Sequence, residues 1–425
     1  SSSITEIAVW HACCSSMLSA PKAVSPTALG ASVEAPHEFT DDFPLRGPED
    51  SQRLRTRLGT KPADGLLGSV GRGVLTATMV TVFIVFVVVI VARLSAPTSS
   101  SPAAHSDGWA PLPSAHESIR RLAWGSCSKQ ELPQDYWQVV QESNPDLLVL
   151  AGDNVYGDCN SPGCNELQRA YDTLAASPIF LEAKRKQPII PVWDDHDYGV
   201  NDGGVENPWK DLAKDLFLEF YDVPQDDPRR KRGGLYQQYQ FGPLGQRLQL
   251  LALDTRWFRS ALQLSSEPMT PFKERYVPST NKSATMLGEE QWQWLRDAMM
   301  EPADLRVILS SIQVLADGHG WECWRMLSHE RDRLYDLIAE SATVAGGTTV
   351  LLTGDRHVGG VYVNDEGLQH PLVEATASSW THTVPSSCRA GGASCDEPGP
   401  NRIGNLVREN HFGMLEIDWP ARQAV

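Results

Sequence analysis

A chain of 425 residues is longer than one small core requires, so a large domain with additional segments is expected. Its formal net charge of -16 argues against nucleic acid as a general ligand, because phosphate backbones need basic surfaces. Residues 1–93 carry as many basic as acidic groups, so the negative charge belongs to the part beyond them, where it reads as a solvated acidic surface.

From the N-terminus, residues 1–73 mix Ser, Pro, Ala and charge without periodicity, which predicts a disordered, cytosolic segment. Residues 74–92 (VLTATMVTVFIVFVVVIVA) contain no charge and, as a helix about 28 Å long, match a hydrocarbon core. So β-branched a run has poor helix propensity in water and no amphipathic face, which favours a transmembrane helix. Arg53, Arg55, Arg57, Lys61 and Arg72 precede it, whereas no Lys or Arg lies between Arg93 and Arg120. That bias predicts a single-pass signal-anchor, with the C-terminal domain extracellular or in the lumen of the secretory pathway. Residues 93–118 read as a Ser/Pro-rich stalk, and the globular domain is expected over 119–420.

Within that domain, helices and strands alternate. Helical patterns are predicted over 136–141, 166–177, 180–185, 209–221, 289–300 and 331–341, and strands over 147–150, 188–193, 235–241, 248–253, 305–310, 348–352 and 414–418. This alternation predicts an α/β layered domain. Trp292, Leu295 and Met299 share a helical face and read as core. Cys159/Cys164 and Cys388/Cys395 are close pairs in loops, each able to close a small disulfide in an oxidising compartment, and Asn281-Lys282-Ser283 is a glycosylation acceptor there.

The chemistry sits at strand ends, where α/β sheets place it. Asp153 and Tyr156 follow the strand over 147–150, Asp194-Asp195-His196-Asp197 follows the next, and Asp355 and His357 follow the strand over 348–352. Cys127 follows Leu122-Ala123-Trp124. A lone Asp often caps a turn, a lone Tyr packs, and a lone Cys is a small buried residue. Together, carboxylate, imidazole, phenol and thiol form a donor set for a transition metal beside a harder cation. Three carboxylates around one histidine repel one another unless a cation compensates. Asp158 leads into the Cys159–Cys164 loop and is assigned to shaping that turn.

Gly125-Ser126-Cys127, Gly152-Asp153-Asn154-Val155-Tyr156-Gly157-Asp158, Trp193-Asp194-Asp195-His196-Asp197, Leu253-Asp254-Thr255-Arg256 and Gly354-Asp355-Arg356-His357 occur in the order seen in PhoD-like alkaline phosphatases, a branch of the calcineurin-like metallophosphoesterases, which the chain resembles. The resemblance implies a metallophosphoesterase-type β-sandwich flanked by helices, and hydrolysis of phosphomonoesters or phosphodiesters by metal-activated hydroxide. It implies Fe(III) at Cys127, Asp153, Tyr156, Asp355 and His357, and Ca2+ as the second cation, bridged by Asp153 and bound by Asp195. His196 would contact phosphate or protonate the leaving oxygen, and Arg256 is a candidate phosphate contact. Asp194, Asn201 and His319 are further candidates, and Trp321-Glu322-Cys323-Trp324 a wall of the site. No protein partner is evident. Two other readings fit part of the pattern: a purple-acid-phosphatase-like enzyme, and a binding ectodomain with a purely structural metal.

Overall fold

The computed structural model describes residues 108–268, 275–366, 368, 370–384 and 397–425. The expected N-terminal segment, the membrane helix at 74–92, most of the stalk and the Cys388/Cys395 pair lie outside the described residues. Among the described residues no helix is long and apolar enough to cross a membrane.

Two sheets form the frame. The first runs β12 (Gln423–Ala424), β11 (Gly413–Asp418), β1 (Arg121–Gly125), β2 (Leu147–Ala151), β3 (Ile189–Val192). The second runs β10 (Arg402–Val407), β8 (Gly359–Asn364), β9 (Leu372–Thr376), β7 (Thr348–Thr353), β6 (Leu305–Leu309), β5 (Leu248–Ala252), β4 (Gln237–Phe241). Strands β1, β2 and β3 are parallel, with Val149 opposite both Trp124 and Ile190, and β5, β6, β7 and β9 are parallel in the other sheet. Parallel strands are buried on both faces, which is why their sequences are continuous apolar runs rather than alternating ones.

Period-two geometry divides those runs between layers. Leu122, Leu147, Val149 and Val192 meet Leu250, Val307, Leu309 and Leu352 between the sheets. Leu148, Leu150 and Ile189 point the other way, onto α1 (Tyr136–Glu142), α2 (Asn165–Ala175), α3 (Pro178–Lys186) and α5 (Lys210–Phe220). On the far side Leu251, Ile308 and Leu351 pack under α6 (Gly288–Met299) and α7 (Ser328–Val344), with Trp292, Leu295 and Met299 in that layer as core. A sandwich of two sheets between two helical layers results, with each buried Leu, Ile or Val contributing roughly 1.5–3 kcal/mol.

Packing reaches further back than residue 119. Trp109, within the expected stalk, is buried, donates from Nε1 to Asp222 at 3.0 Å and lies against Phe180 and Tyr221. An indole with a hydrogen-bond partner at its polar end is a stable anchor, so the chain docks ten residues before the periodic pattern begins.

The topology positions the site. All the parallel strands of each sheet end on one side: β1 runs into Cys127, β2 into Asp153, β3 into Asp194, β5 into Asp254, β7 into Asp355 and β9 into Ser378. The run after β3 is a four-residue helix, α4 (Asp195–Tyr198), which the sequence pattern is too short to reveal.

Candidate metal centre

Four of the expected ligands leave their strands through left-handed backbone: Cys127 (φ 62°), Asp153 (φ 51°), Asp355 (φ 72°) and His357 (φ 54°). Such conformations cost non-glycine residues roughly 1–3 kcal/mol each and persist where the surrounding fold enforces them. Gly152 precedes Asp153 at φ 100°, and a Cβ there would lie 2.5 Å from the Asp194 Cβ, so only glycine lets these two strand ends approach.

Three groups of side chains converge. Cys127, Asp153 and His357 form the first; Asp153, Asp195 and His196 the second; Asp194, Asp195 and Asp355 the third, with the donor atoms of each group within 4.8 Å of one another. Asp153 and Asp195 each belong to two groups, which makes them the shared carboxylates. Tyr156 closes the first group: its hydroxyl lies 3.4 Å from Asp153 Oδ2 and 3.1 Å from His357 Nε2. The Cys127 thiol lies 3.4 Å from Asp153 Oδ2.

The electrostatics are those of a site built for positive charge. Burial pushes the Asp153 carboxyl well above the usual range, and the nearby Asp195 carboxylate adds to it. Burial, then the repulsion of Asp194 and Asp195, does the same to Asp355. Asp194 is raised to about 7 by burial against the pull of Arg256. Burial also opposes charge on Asp195, but His196 and Arg256 outweigh it and hold that carboxyl below the usual range. Burial raises the Cys127 thiol to about 12. A cation would supply what these groups lack. Asp194 Oδ2 is moreover buried without a hydrogen-bond donor, so the residues present fit a metal.

Comparison with known proteins places this arrangement. The PhoD-like phosphatase family matches residues 122–418, most of the chain and every strand end described above. The chain belongs to the PhoD-like phosphatase family. A solved structure described as the structure of PhoD matches with a TM-score of 0.57 and 17% identity, over 73% of this chain. At that identity the likeness speaks to the fold, and the match spans 66% of the length of that PhoD chain. Comparison with curated proteins found no match.

As a PhoD-like chain, it departs from the expected assignments at five residues. Asp355 turns its main-chain carbonyl, 3.7 Å from Cys127 Sγ, toward the first group, while its carboxylate joins Asp194 and Asp195. Its carboxylate is therefore grouped with Asp194 and Asp195 rather than with Cys127. Arg256 is not presented to a substrate. Its guanidinium is wholly enclosed, donates from Nε to Asp194 Oδ1 at 2.6 Å and ion-pairs with Glu322 Oε2 at 2.5 Å, so it balances buried charge. Glu322, expected as wall, is the hub of that balance, with Arg259 at 2.7 Å on its other oxygen. His319 is buried away from the three groups: Nε2 meets Gln313 Oε1 at 2.9 Å and Nδ1 accepts from the Trp321 backbone N–H at 3.1 Å. Asn201 is exposed, and it is the next residue, Asp202, whose backbone N–H binds Asp195 Oδ2 at 2.7 Å.

Asp194 lies in the third group, whereas Asp197 holds the loops together by accepting from the backbone N–H groups of Asp194 and Asn154. Two residues of the site escaped the sequence pattern. His382 Nε2 lies 3.1 Å from the Tyr156 hydroxyl, and burial beside Lys129 lowers its pKa to about 4. Ser378 holds the Cys127 thiol at 3.1 Å and accepts from the His357 backbone N–H at 2.8 Å. Both follow β9, whose run Leu372-Val373-Glu374-Ala375-Thr376 carries a buried Glu that masks it as a strand; Trp380-Thr381-His382 beyond repeats the pattern of the other strand ends.

Proposed function

We propose that this chain is a metal-dependent phosphoric ester hydrolase acting on phosphomonoesters, phosphodiesters or both. The observation that supports it most is the sharing of Asp153 and Asp195 between adjacent donor groups, an arrangement that suits two cations held side by side. Cys127, Tyr156, His357 and Asp153 would hold iron, since thiol, phenol and imidazole are transition-metal donors. Asp194, Asp195 and Asp355, beside Asp153, would hold calcium, which takes carboxylate oxygens. When bound, the two cations supply the Lewis acid that polarises a phosphoryl group and lowers the pKa of water.

The chain's own residues do the rest. Asp153 and Asp195 fix the spacing between the two sites. Arg256, Glu322 and Arg259 keep the acidic loop compact without reaching substrate. Burial opposes charge on His196, but Asp195 and Asp153 outweigh it and raise its pKa well above the usual value. His196 stacks on Tyr156 with ring centroids 4.0 Å apart, at the rim of the acidic groups, and is placed to give a proton to a leaving alkoxide.

Residues 74–92 and the Arg and Lys ahead of them support a single-pass anchor that carries this domain outside the cytosol. Protease digestion of sealed membranes from expressing cells tests that: protection of the domain, lost on adding detergent, is the lumenal outcome, and digestion without detergent overturns it. For the activity, the metal-replete full chain is assayed on a nitrophenyl monoester and a bis-nitrophenyl diester across pH, with elemental analysis of the same sample. Turnover that vanishes with chelator is expected. Stoichiometric metal without turnover of either ester would establish a binding ectodomain instead.

A further inference from the structure

One carboxylate of the site has no place among the metal groups. Asp158 Oδ1 lies 2.9 Å from His196 Nδ1. A carboxylate only accepts, so the Nδ1 atom carries the proton and Nε2 is the nitrogen left for chemistry. The ring is fixed in its other directions as well. Tyr156 stacks on its face, and the His196 backbone N–H donates to Asp153 Oδ1 at 3.2 Å and Asp195 Oδ1 at 3.1 Å.

What holds Asp158 is the residue after it. Cys159 forms a disulfide with Cys164, at the start of α2. Its backbone N–H donates to the Gly199 carbonyl at 2.7 Å, and Gly199 ends the short helix α4 that carries His196. A Cβ on Gly199 would lie 2.5 Å from Cys159 Sγ, so the disulfide sits directly on the turn below the histidine. The loop therefore grips α4 at two points, by side chain at His196 and by backbone at Gly199, and the disulfide fixes the span between them.

We propose that Asp158 is the positioning residue for His196 and that the Cys159–Cys164 disulfide keeps it in place, so that breaking the bond uncouples the proton donor while leaving the carboxylates, Cys127 and His357 of the metal groups in place. This rests on the reading of His196 as proton donor given above. In the step it serves, water adds to phosphorus, the ester P–O bond breaks, and the alcohol departs with the proton from His196 Nε2. The proton released by the attacking water restores Nε2, while Nδ1–H stays on Asp158 throughout.

The test uses the full, metal-loaded chain and three variants: Asp158→Ala, Asp158→Asn and the pair Cys159→Ser/Cys164→Ser. A nitrophenolate leaves without a proton whereas an alkoxide needs one. Asp158→Ala is expected to lower kcat on an alkyl phosphate by about 10- to 100-fold, with a much smaller loss on the nitrophenyl ester and unchanged metal content. The cysteine pair is expected to give the same split and to add little when combined with Asp158→Ala, as residues acting through one contact do. Equal losses on both esters, or additive losses, overturn the proposal. A second readout is independent of turnover: in 15N spectra of histidine-labelled chain carrying diamagnetic metal, the His196 Nδ1 signal should shift in Asp158→Ala and in the cysteine pair, and shift less in Asp158→Asn, whose amide oxygen can still accept from Nδ1–H. Should the parent hydrolyse neither ester, the phosphatase reading fails while the spectra still decide the role of Asp158. An unchanged His196 signal in Asp158→Ala, which removes the acceptor, sinks it.

Discussion

Glu374 and Asp194 are both buried carboxylates in this sandwich, and burial pushes both up to about 7, yet their surroundings are opposite. Glu374 lies on β9, where Thr353 Oγ1 donates to it at 2.9 Å, the Val314 backbone N–H at 3.1 Å, and Leu315 N–H and Thr376 also reach it. Gln313 and His319 extend that network, again by hydrogen bonds between neutral groups. Asp194 instead shares its surroundings with Asp195 and Glu322, leans on a buried arginine and keeps one oxygen without a donor. Satisfied polarity of the first kind holds a loop to a sheet. Repelling charge of the second kind is stable only if something positive completes it, and that difference separates structural burial from a site.

The strongest way to break the comparison is to remove a shared carboxylate. Asp153→Asn should cost about 1,000-fold or more in kcat and at least one equivalent of metal, whereas a mere structural role would lower the melting temperature and spare the specific activity of the folded fraction. Next comes the arginine. Arg256→Gln strands Asp194 and part of Glu322 and should lower unfolding free energy by about 3–5 kcal/mol in denaturant titration. Should it instead leave stability intact and raise KM for phosphate esters, the guanidinium meets substrate after all.

Much of this contrast is present in the sequence, and the missing part has a physical cause. The apolar runs at 147–150, 248–253 and 305–310 are fully buried strands and that at 348–352 is mostly buried, and the donor groups follow those at 147–150 and 348–352, because a parallel strand must be apolar and must end somewhere. Strands β8 to β10 mix Gly, Asn, Glu and Arg with apolar residues and show no clear period. His382 was out of reach for another reason: it meets Tyr156 across 226 residues, and local spacing carries no information about that pairing. The fate of Arg256 likewise depends on Glu322 arriving from another loop. Types of donor were legible; which donors group together was not, as Asp355 beside Asp194 and Asp195 shows.

The pH dependence of stability sharpens the satisfied side. Glu374 has a usual pKa of 4.5 and a folded one of about 7. Below about 4.5 the side chain is protonated in both states and costs nothing. As pH rises toward 7 the unfolded chain releases the proton while the folded chain keeps it, so stability falls, by about 3 kcal/mol once both are ionised. Glu374→Gln should lower the whole curve, since an amide cannot accept on both sides, and remove that slope. A slope that survives the substitution assigns the effect to the site carboxylates, and adding metal then abolishes it.

The smallest effect tests whether His319 belongs where the structure puts it. Its two ring nitrogens are both used inside the loop, and burial, with Arg356 and Arg325 nearby, keeps the imidazole neutral by lowering its pKa well below the usual value. A ring so engaged has no lone pair for a cation. His319→Gln should therefore cost about 1–3 kcal/mol of stability through the lost hydrogen bonds while metal content and kcat/KM stay within about twofold of the parent. Loss of a metal equivalent from that variant would move His319 from the satisfied cluster to the charged one, and the line drawn between Glu374 and Asp194 would have to be redrawn through Gln313.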